Sequence, residues 1–221
     1  MVFNRAHQFK SYGTWALPFG PNRALLSSGP NWVHRVVEGW DLSGIFNWIS
    51  GAPLSFVSMR RTLGVAANSN TADLLTKLPA ALGNVRVQDG FVEYFGNLRT
   101  PRAPLPSFGG DATLPGRFTN QVVVDSAGNI LLQNPTPGST GNTALNFPGL
   151  EGPARLSLDM ALSKRIQIAE KKTFTIRADA INILNTPQWG DPNTDINSAN
   201  FGRITNASGE RTFTINARID F

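Results

Sequence analysis

The strict two-residue alternation in residues 211–221, the last eleven of the chain, constrains its fold more than any other feature. Every second side chain is apolar and those between are polar, so the pattern predicts a β-strand with one apolar and one polar face. Its length is that of a tilted strand crossing a bilayer, about 9–11 residues. A half-buried strand of a soluble β-sandwich is the alternative. The apolar face holds Phe213, Ile215, Ala217, Ile219 and Phe221.

Four earlier segments show the same alternation and are predicted as strands at 7–17, 40–50, 155–168 and 173–184. Trp40 and Trp48 lie near opposite ends of one apolar face, where two membrane interfaces favour aromatic rings. We assign Trp15 to the same group of interface aromatics. In a soluble sandwich these rings would instead lie in the core.

The composition is compatible with strands that cross a membrane. Charged residues make up 16% of the 221 residues, below the roughly 25% of average soluble proteins. No apolar run approaches the roughly 18 residues of a membrane helix, so any crossing must be by strands. The mean hydropathy of −0.15 fits this reading, because alternating strands look unremarkable on a hydropathy scale.

Two long connections separate the predicted strands, at 51–153 and 185–210, and the first is rich in Pro, Gly, Asn and Ser. A connection of about a hundred residues is uncommon in a compact soluble domain, whereas barrels have long extracellular loops and short periplasmic turns. Within the first connection, 71–82 is predicted as a short helix and 122–132 as a β-hairpin.

No catalytic, cofactor-binding or metal-binding site is predicted. Cysteine is absent, and His7 and His34 have no partner at the spacing of metal ligands. Residues 191–197 imitate the start of a calcium loop, but Ile196 stands where that loop needs glycine and Gly202 where it needs glutamate. Basic residues are dispersed, so nucleic acid is not an expected partner despite a net charge of +5.

Charged side chains alternate on the polar faces of the last two predicted strands. Opposite charges there pair across the wall or line a path for solute, and pairing is the interpretation we favour. These side chains, predicted to face a barrel lumen, are Arg177, Asp179, Arg218 and Asp220.

Several short motifs resemble the carboxyl-terminal end of TonB-dependent outer-membrane receptors. Their order resembles most closely the Oar-like branch, which carries a carboxypeptidase-regulatory-like domain at its amino end. The resemblance covers both ends of the chain and hardly touches the middle. The motifs are His7-Gln-Phe, Trp15-Ala-Leu-Pro-Phe-Gly20, Gly39-Trp-Asp-Leu-Ser-Gly-Ile45, Ser50-Gly-Ala-Pro53, Asp159-Met-Ala-Leu-Ser-Lys-Arg165, Arg177-Ala-Asp-Ala-Ile-Asn-Ile-Leu-Asn185, Pro187-Gln-Trp-Gly190, Phe201-Gly-Arg-Ile204 and Ile219-Asp-Phe221.

The resemblance implies a transmembrane β-barrel of about 22 antiparallel strands closed by a plug. This chain would supply about five wall strands as a carboxyl-terminal fragment, and the lack of a visible export signal agrees with a longer parent chain. The implied partners are the TonB-ExbB-ExbD energy-coupling complex, the barrel-assembly machinery, outer-membrane lipid and an unidentified solute. Phe213, Ile215, Ile219 and Phe221 would form the signal read by the assembly machinery in a Gram-negative-type bacterium.

The leading hypothesis is thus transport of a bulky solute through a plugged outer-membrane barrel, without enzymatic activity. The rival is a soluble or surface-displayed β-sandwich that acts as a binding or adhesion module. The two differ in where Trp40, Trp48, Phe213 and Phe221 point, since a barrel directs them outward to lipid and a sandwich directs them into a core.

Overall fold

The computed structural model describes residues 5–62, 70–79, 82–103, 121–136, 138–170 and 172–221. These residues are nearly all β, as the sequence predicts. Within the described ranges no helix is long and apolar enough to cross a membrane. In chain order the elements are β1 Gln8–Ala16, α1 Asn31–Val37, β2 Trp40–Ile49, β3 Asp73–Leu74, β4 Arg86–Gln88, β5 Phe91–Glu93, β6 Val122–Val124, β7 Ile130–Gln133, β8 Arg155–Ala169, β9 Lys172–Ile181, β10 Gln188–Trp189, β11 Arg203–Ile204, β12 Ala207–Ser208 and β13 Thr212–Asp220.

The chain forms two compact units, each described by itself below. The wall unit comprises His7–Ile49, Arg155–Gln188 and Ser208–Phe221. Among the described residues, the loop unit comprises 5–6 and the parts of Ser50–Ala154 and Trp189–Ala207 that the structure covers. The wall unit therefore contains the long alternating segments, and the loop unit contains most of the two long connections.

In the described part of the wall unit, five strands form one antiparallel sheet in the order β1-β2-β8-β9-β13. Each strand pairs with the wall strand that precedes it along the chain, which is an up-and-down meander. The sheet is open, because β1 and β13 each pair along one edge among these residues. The prediction of antiparallel barrel-type strands is confirmed in this sheet.

The strand register brings most of the large apolar residues of the five strands onto one face. Side chains directly opposite each other in antiparallel strands share a face. One row of partners across the sheet is apolar throughout: Trp15, Leu42, Leu162, Ala178 and Ile215. The next row, on the opposite face, is mostly polar: Thr14, Ser43, Ala161, Asp179 and Thr214.

Two local expectations differ from the structure. The predicted helix at 71–82 is wrong for the described residues 71–79, and 80–81 lie outside them. There the backbone bonds run to distant segments, as in the Leu75 amide that donates to Leu131 at 2.9 Å, so tertiary pairing overrides local helix propensity. Conversely, residues 22–38 showed no period in the sequence, yet they contain α1.

The loop unit has its own hydrophobic core. Phe56 is fully buried, and its ring centroid lies 5.6 Å from that of Phe95 and 6.0 Å from that of Phe201. Phe56 and Phe95 come from the first long connection and Phe201 from the second, so this aromatic cluster joins the two connections. The predicted hairpin is confirmed as β6 and β7, which pair antiparallel beside this core.

The two ends of the first long connection are held together at a neck. The Gly152 amide donates to the Ala52 carbonyl at 2.8 Å, and Pro53 and Glu151 form an antiparallel bridge. A methyl group at Gly51 would overlap the backbone of Gly152. Glycine is therefore required at Gly51 by a close approach of two backbones.

The segment that imitates a calcium loop forms turns stabilised by its own side chains. Asn193 accepts a hydrogen bond from the Asp195 amide at 2.9 Å, and Asp195 accepts one from the Asn197 amide at 3.0 Å. The Asn197 side chain donates to Asn134 in the first connection at 2.7 Å. These bonds are Asx turns and a link to a neighbouring segment. Over the described residues, no group of three or more His, Asp or Glu side chains is arranged to hold a metal ion.

Tyr94 links the core of the loop unit to its neck, because its hydroxyl donates to the Glu151 carbonyl at 2.7 Å. Burial, with smaller effects of the Glu151 and Asp191 carboxylates, raises the pKa of Tyr94 from 10.0 to about 12. The neutral phenol is thus favoured in the folded state, so its stabilising effect is full below pH 10. That stabilisation is lost as the pH rises from 10 towards about 12, since the unfolded chain releases the proton first.

This pKa is measurable because the sequence contains only two tyrosines, Tyr12 and Tyr94. In a Tyr12→Phe variant, titration of tyrosinate absorbance is expected to show a midpoint of about 12. A midpoint near 10 would contradict the buried, hydrogen-bonded phenol. A Tyr94→Phe variant serves as the control and should lack this transition.

Candidate solute-binding site

The four residues predicted as an assembly signal lie at β13. Phe213, Ile215 and Ile219 alternate along it and pair with apolar residues of β9. The exposed fraction of Ile215 is 74% and that of Phe221 is 88%. Large exposed apolar side chains in one row mark a surface that contacts lipid or another protein. Their role in barrel assembly stays a prediction.

The predicted interface tryptophans all lie on the apolar face of the wall sheet. Trp15 pairs with Leu42, two positions along β2 from Trp40, so these two rings share one end of the sheet. Trp48, which pairs with Phe9 and Leu156, lies at the other end. The face thus carries indole rings near both of its ends.

The charged residues predicted to face a lumen are paired along each strand. Arg177 contacts Asp179 at 2.8 Å, and Arg218 contacts Asp220 at 2.6 Å. A link across the sheet comes from Asn216, whose side-chain amide donates to Asp179 at 3.3 Å. The polar face therefore carries neutralised charges along both strands, and the function of these pairs stays a prediction.

A cavity of about 590 Å³ lies in the loop unit, within the size range of small-molecule sites. One part of its lining comes from β4, β5 and the turn between them, and the other from the second connection near β11. Both long connections therefore contribute. The lining residues that argue for binding are Gln88, Phe91, Trp189, Asn200, Arg203 and Asn206.

The cavity combines aromatic faces with hydrogen-bonding groups. The Arg203 guanidinium lies 4.3 Å from the centroid of the Phe91 ring, a cation–π contact that fixes both side chains. The pairing of Arg203 with Glu93 and of Ile204 with Val92 holds this part of the cavity on a three-stranded sheet. Such a lining suits a solute with both apolar and polar surface.

The sequence matches a family model described as an outer membrane beta barrel domain, over residues 1–215. The chain belongs to the outer membrane beta barrel domain family. The protein is therefore located in the bacterial outer membrane, as the sequence analysis expects. No curated protein and no solved structure matches the sequence.

Family membership gives the wall sheet a physical interpretation. In an outer-membrane barrel the lipid-facing residues are apolar and alternate with polar residues facing the interior. The wall sheet has this pattern on all five described strands. This family is broader than the TonB-dependent receptors that the sequence motifs resemble.

The sequence analysis does not predict the residues of the cavity. Trp189 and Phe201 enter it only as parts of motifs, and 86–93 is not predicted as a hairpin. The sequence does contain a signal for the hairpin of β4 and β5. Val87 and Val92 lie on either side of Asp89-Gly90, a dipeptide that favours a tight hairpin turn.

Proposed function

We propose that this chain forms the carboxyl-terminal wall and outer loops of a TonB-dependent receptor of the Oar-like type, which takes up a bulky solute. The single observation that carries the proposal is the joint folding of the two long connections around one cavity. A pore that only conducted small solutes would not need long connections that fold together around their own hydrophobic core. A receptor that captures its cargo before import does need them.

The orientation of the wall follows from the lengths of its connections. The β8–β9 turn and the β1–β2 connection at 17–39 lie at one end of the wall, whereas the longer connections after β2 and β9 leave from the opposite end. Barrels have short turns on the periplasmic side and long loops on the extracellular side. The two long connections therefore leave the wall on the extracellular side, where solute arrives.

The proposed receptor also needs wall strands, a plug and an energy source that this chain does not supply. The open edges of β1 and β13 carry backbone groups that lipid cannot satisfy, so additional wall strands must pair with them. A plug and the TonB-ExbB-ExbD complex would supply gating and energy, and the barrel-assembly machinery would insert the wall. The chain itself needs no cofactor and performs no enzymatic reaction.

We expect solute to bind at the cavity through stacking on Trp189 and polar contacts to Arg203. The test is uptake by cells that carry the complete receptor, with labelled ferric chelate, cobalamin, oligosaccharide and peptide as the probes. Import of one probe should require an intact TonB complex. Trp189→Ala should weaken its binding by about 2 kcal/mol, roughly thirtyfold, since buried aromatic anchors dominate such sites.

Two further variants separate a binding effect from loss of fold. Gln88 is exposed at the cavity, so Gln88→Ala should reduce binding without unfolding the loop unit. Leu75 is exposed in the same unit and lies away from the cavity, so Leu75→Ala should bind normally. Binding of a probe at the cell surface with no TonB-dependent import would overturn the transport proposal in favour of surface binding or adhesion.

A further inference from the structure

At the end of the wall where β8 turns into β9, the connection between β1 and β2 folds back onto the apolar face. Lys164 pairs with Trp40, the first residue of β2, on the apolar face. Its ammonium group donates to the carbonyl oxygens of Val36 at 2.7 Å and Glu38 at 2.8 Å, and lies 4.9 Å from the Trp40 ring centroid. These bonds fix the carboxyl end of α1 on the side of the sheet that contacts lipid.

A groove of about 400 Å³ opens between this connection and the sheet, with an almost wholly apolar lining. Val36 and Trp40 hold its shape, because the Trp40 indole nitrogen donates to the Val36 carbonyl at 3.0 Å. Beside the groove, Trp32 of α1 is 70% exposed. The residues that form the groove include Phe19, Leu26, Val36, Val37, Trp40 and Leu162.

The β1–β2 connection, which forms one side of the groove, also carries basic side chains. Arg23 and Arg35, in the connection itself, are exposed. The one acidic side chain of the same connection is Glu38. The excess of positive charge favours an anion beside the apolar groove.

We propose that this groove binds an acyl chain of an anionic phospholipid, with the phosphate held by Arg23 and Arg35. The groove is continuous with the lipid-contacting face through Trp40 and Leu162, and an acyl chain is the apolar group that a membrane supplies there. The short β8–β9 turn places this end in the periplasmic leaflet. The inference uses the orientation of the wall but not the transport activity, so solute uptake can fail while the lipid site stands.

The test is a titration of the complete protein, purified from outer membranes in detergent, with phosphatidylglycerol and native mass spectrometry as the readout. Val36 is 59% exposed, so Val36→Glu should leave the fold intact and put a carboxylate in the groove. We expect retention of phosphatidylglycerol to fall roughly fivefold to tenfold, because a charge near the interface costs on the order of 1 kcal/mol. Leu145 is exposed in the loop unit, and Leu145→Glu should retain lipid normally.

A second variant tests whether an arginine binds the lipid phosphate. Arg35→Gln should reduce retention of phosphatidylglycerol and leave that of diacylglycerol, which has the acyl chains but no phosphate, unchanged, with heat-modifiable gel migration confirming the folded barrel. Equal phosphatidylglycerol retention by Val36→Glu and the unaltered protein would overturn the inference. So would a photo-crosslinker at Val36 that yields adducts with a second copy or another protein instead of lipid.

Discussion

Replacing Phe56 by alanine is expected to lower the free energy of unfolding of the loop unit by about 3–5 kcal/mol, the range for truncating a buried aromatic side chain. Phe56 is fully buried and contacts both Phe95 and Phe201. These three rings hold the two long connections together, so the cavity left by the substitution lies at their junction. We expect solute binding to be lost together with the fold of this unit.

Hydrogen exchange on the complete protein in detergent measures this effect segment by segment. Exchange in Val122–Val124 and Ile130–Gln133, which flank the aromatic cluster, should accelerate strongly, while the wall strands should stay protected. The control is Leu145→Ala, at a residue 62% exposed, where we expect a change within about 0.5 kcal/mol. Unchanged exchange in Phe56→Ala would contradict a shared core.

Placing arginine at Ile215 is expected to destabilise the inserted barrel by about 2–4 kcal/mol, the cost of that charge on the lipid face near the bilayer midplane. Ile215 is 74% exposed and lies in the middle of β13. Its neighbour Asn216 points to the opposite face, where it contacts Asp179. Asn216→Arg is therefore the matched control, and its new charge gains a carboxylate beside it.

The measurement is reversible guanidinium unfolding of the complete barrel in lipid vesicles, with intrinsic tryptophan fluorescence as the signal. Ile215→Arg should shift the midpoint to much lower denaturant, and Asn216→Arg should change the free energy by less than about 1 kcal/mol. Equal effects at the two positions would show that this strand does not separate lipid from an aqueous interior.

The wall could be predicted because alternation is a local signal that tertiary structure does not override. The bounds of β2, Trp40–Ile49, lie within one residue of the predicted 40–50. The end of β9 differs, since the pattern extends to 184 and the strand stops at Ile181. Asn182 takes a left-handed backbone with φ of 48°, and its side chain donates to the Thr186 carbonyl at 3.0 Å. Because asparagine favours such turns, the strand ends before Asn182 although the apolar pattern of the sequence continues to 184.

The loop unit and its cavity could not be predicted, since contacts between distant segments create them. Ser58 and Asn197 are far apart in sequence, yet Ser58 donates to Asn134 at 2.8 Å and Asn197 donates to the same oxygen. Short strands such as Arg203–Ile204 have too few residues to show a period. The aromatic residues at 56, 95 and 201 have no shared spacing that would reveal a common core.

The neck at Gly51 and Gly152 has a consequence for how such barrels diversify. Ile49 and Arg155 are directly paired in the sheet, so the strand pairing of the wall does not depend on which segment connects them. Lengthening a closed loop costs little extra conformational entropy, about 0.6 kcal/mol for each doubling. Whole inserts can thus be exchanged as cassettes between barrels during evolution. In the proposed orientation of the wall, a foreign domain grafted at the same position would be displayed on the surface of the bacterial cell.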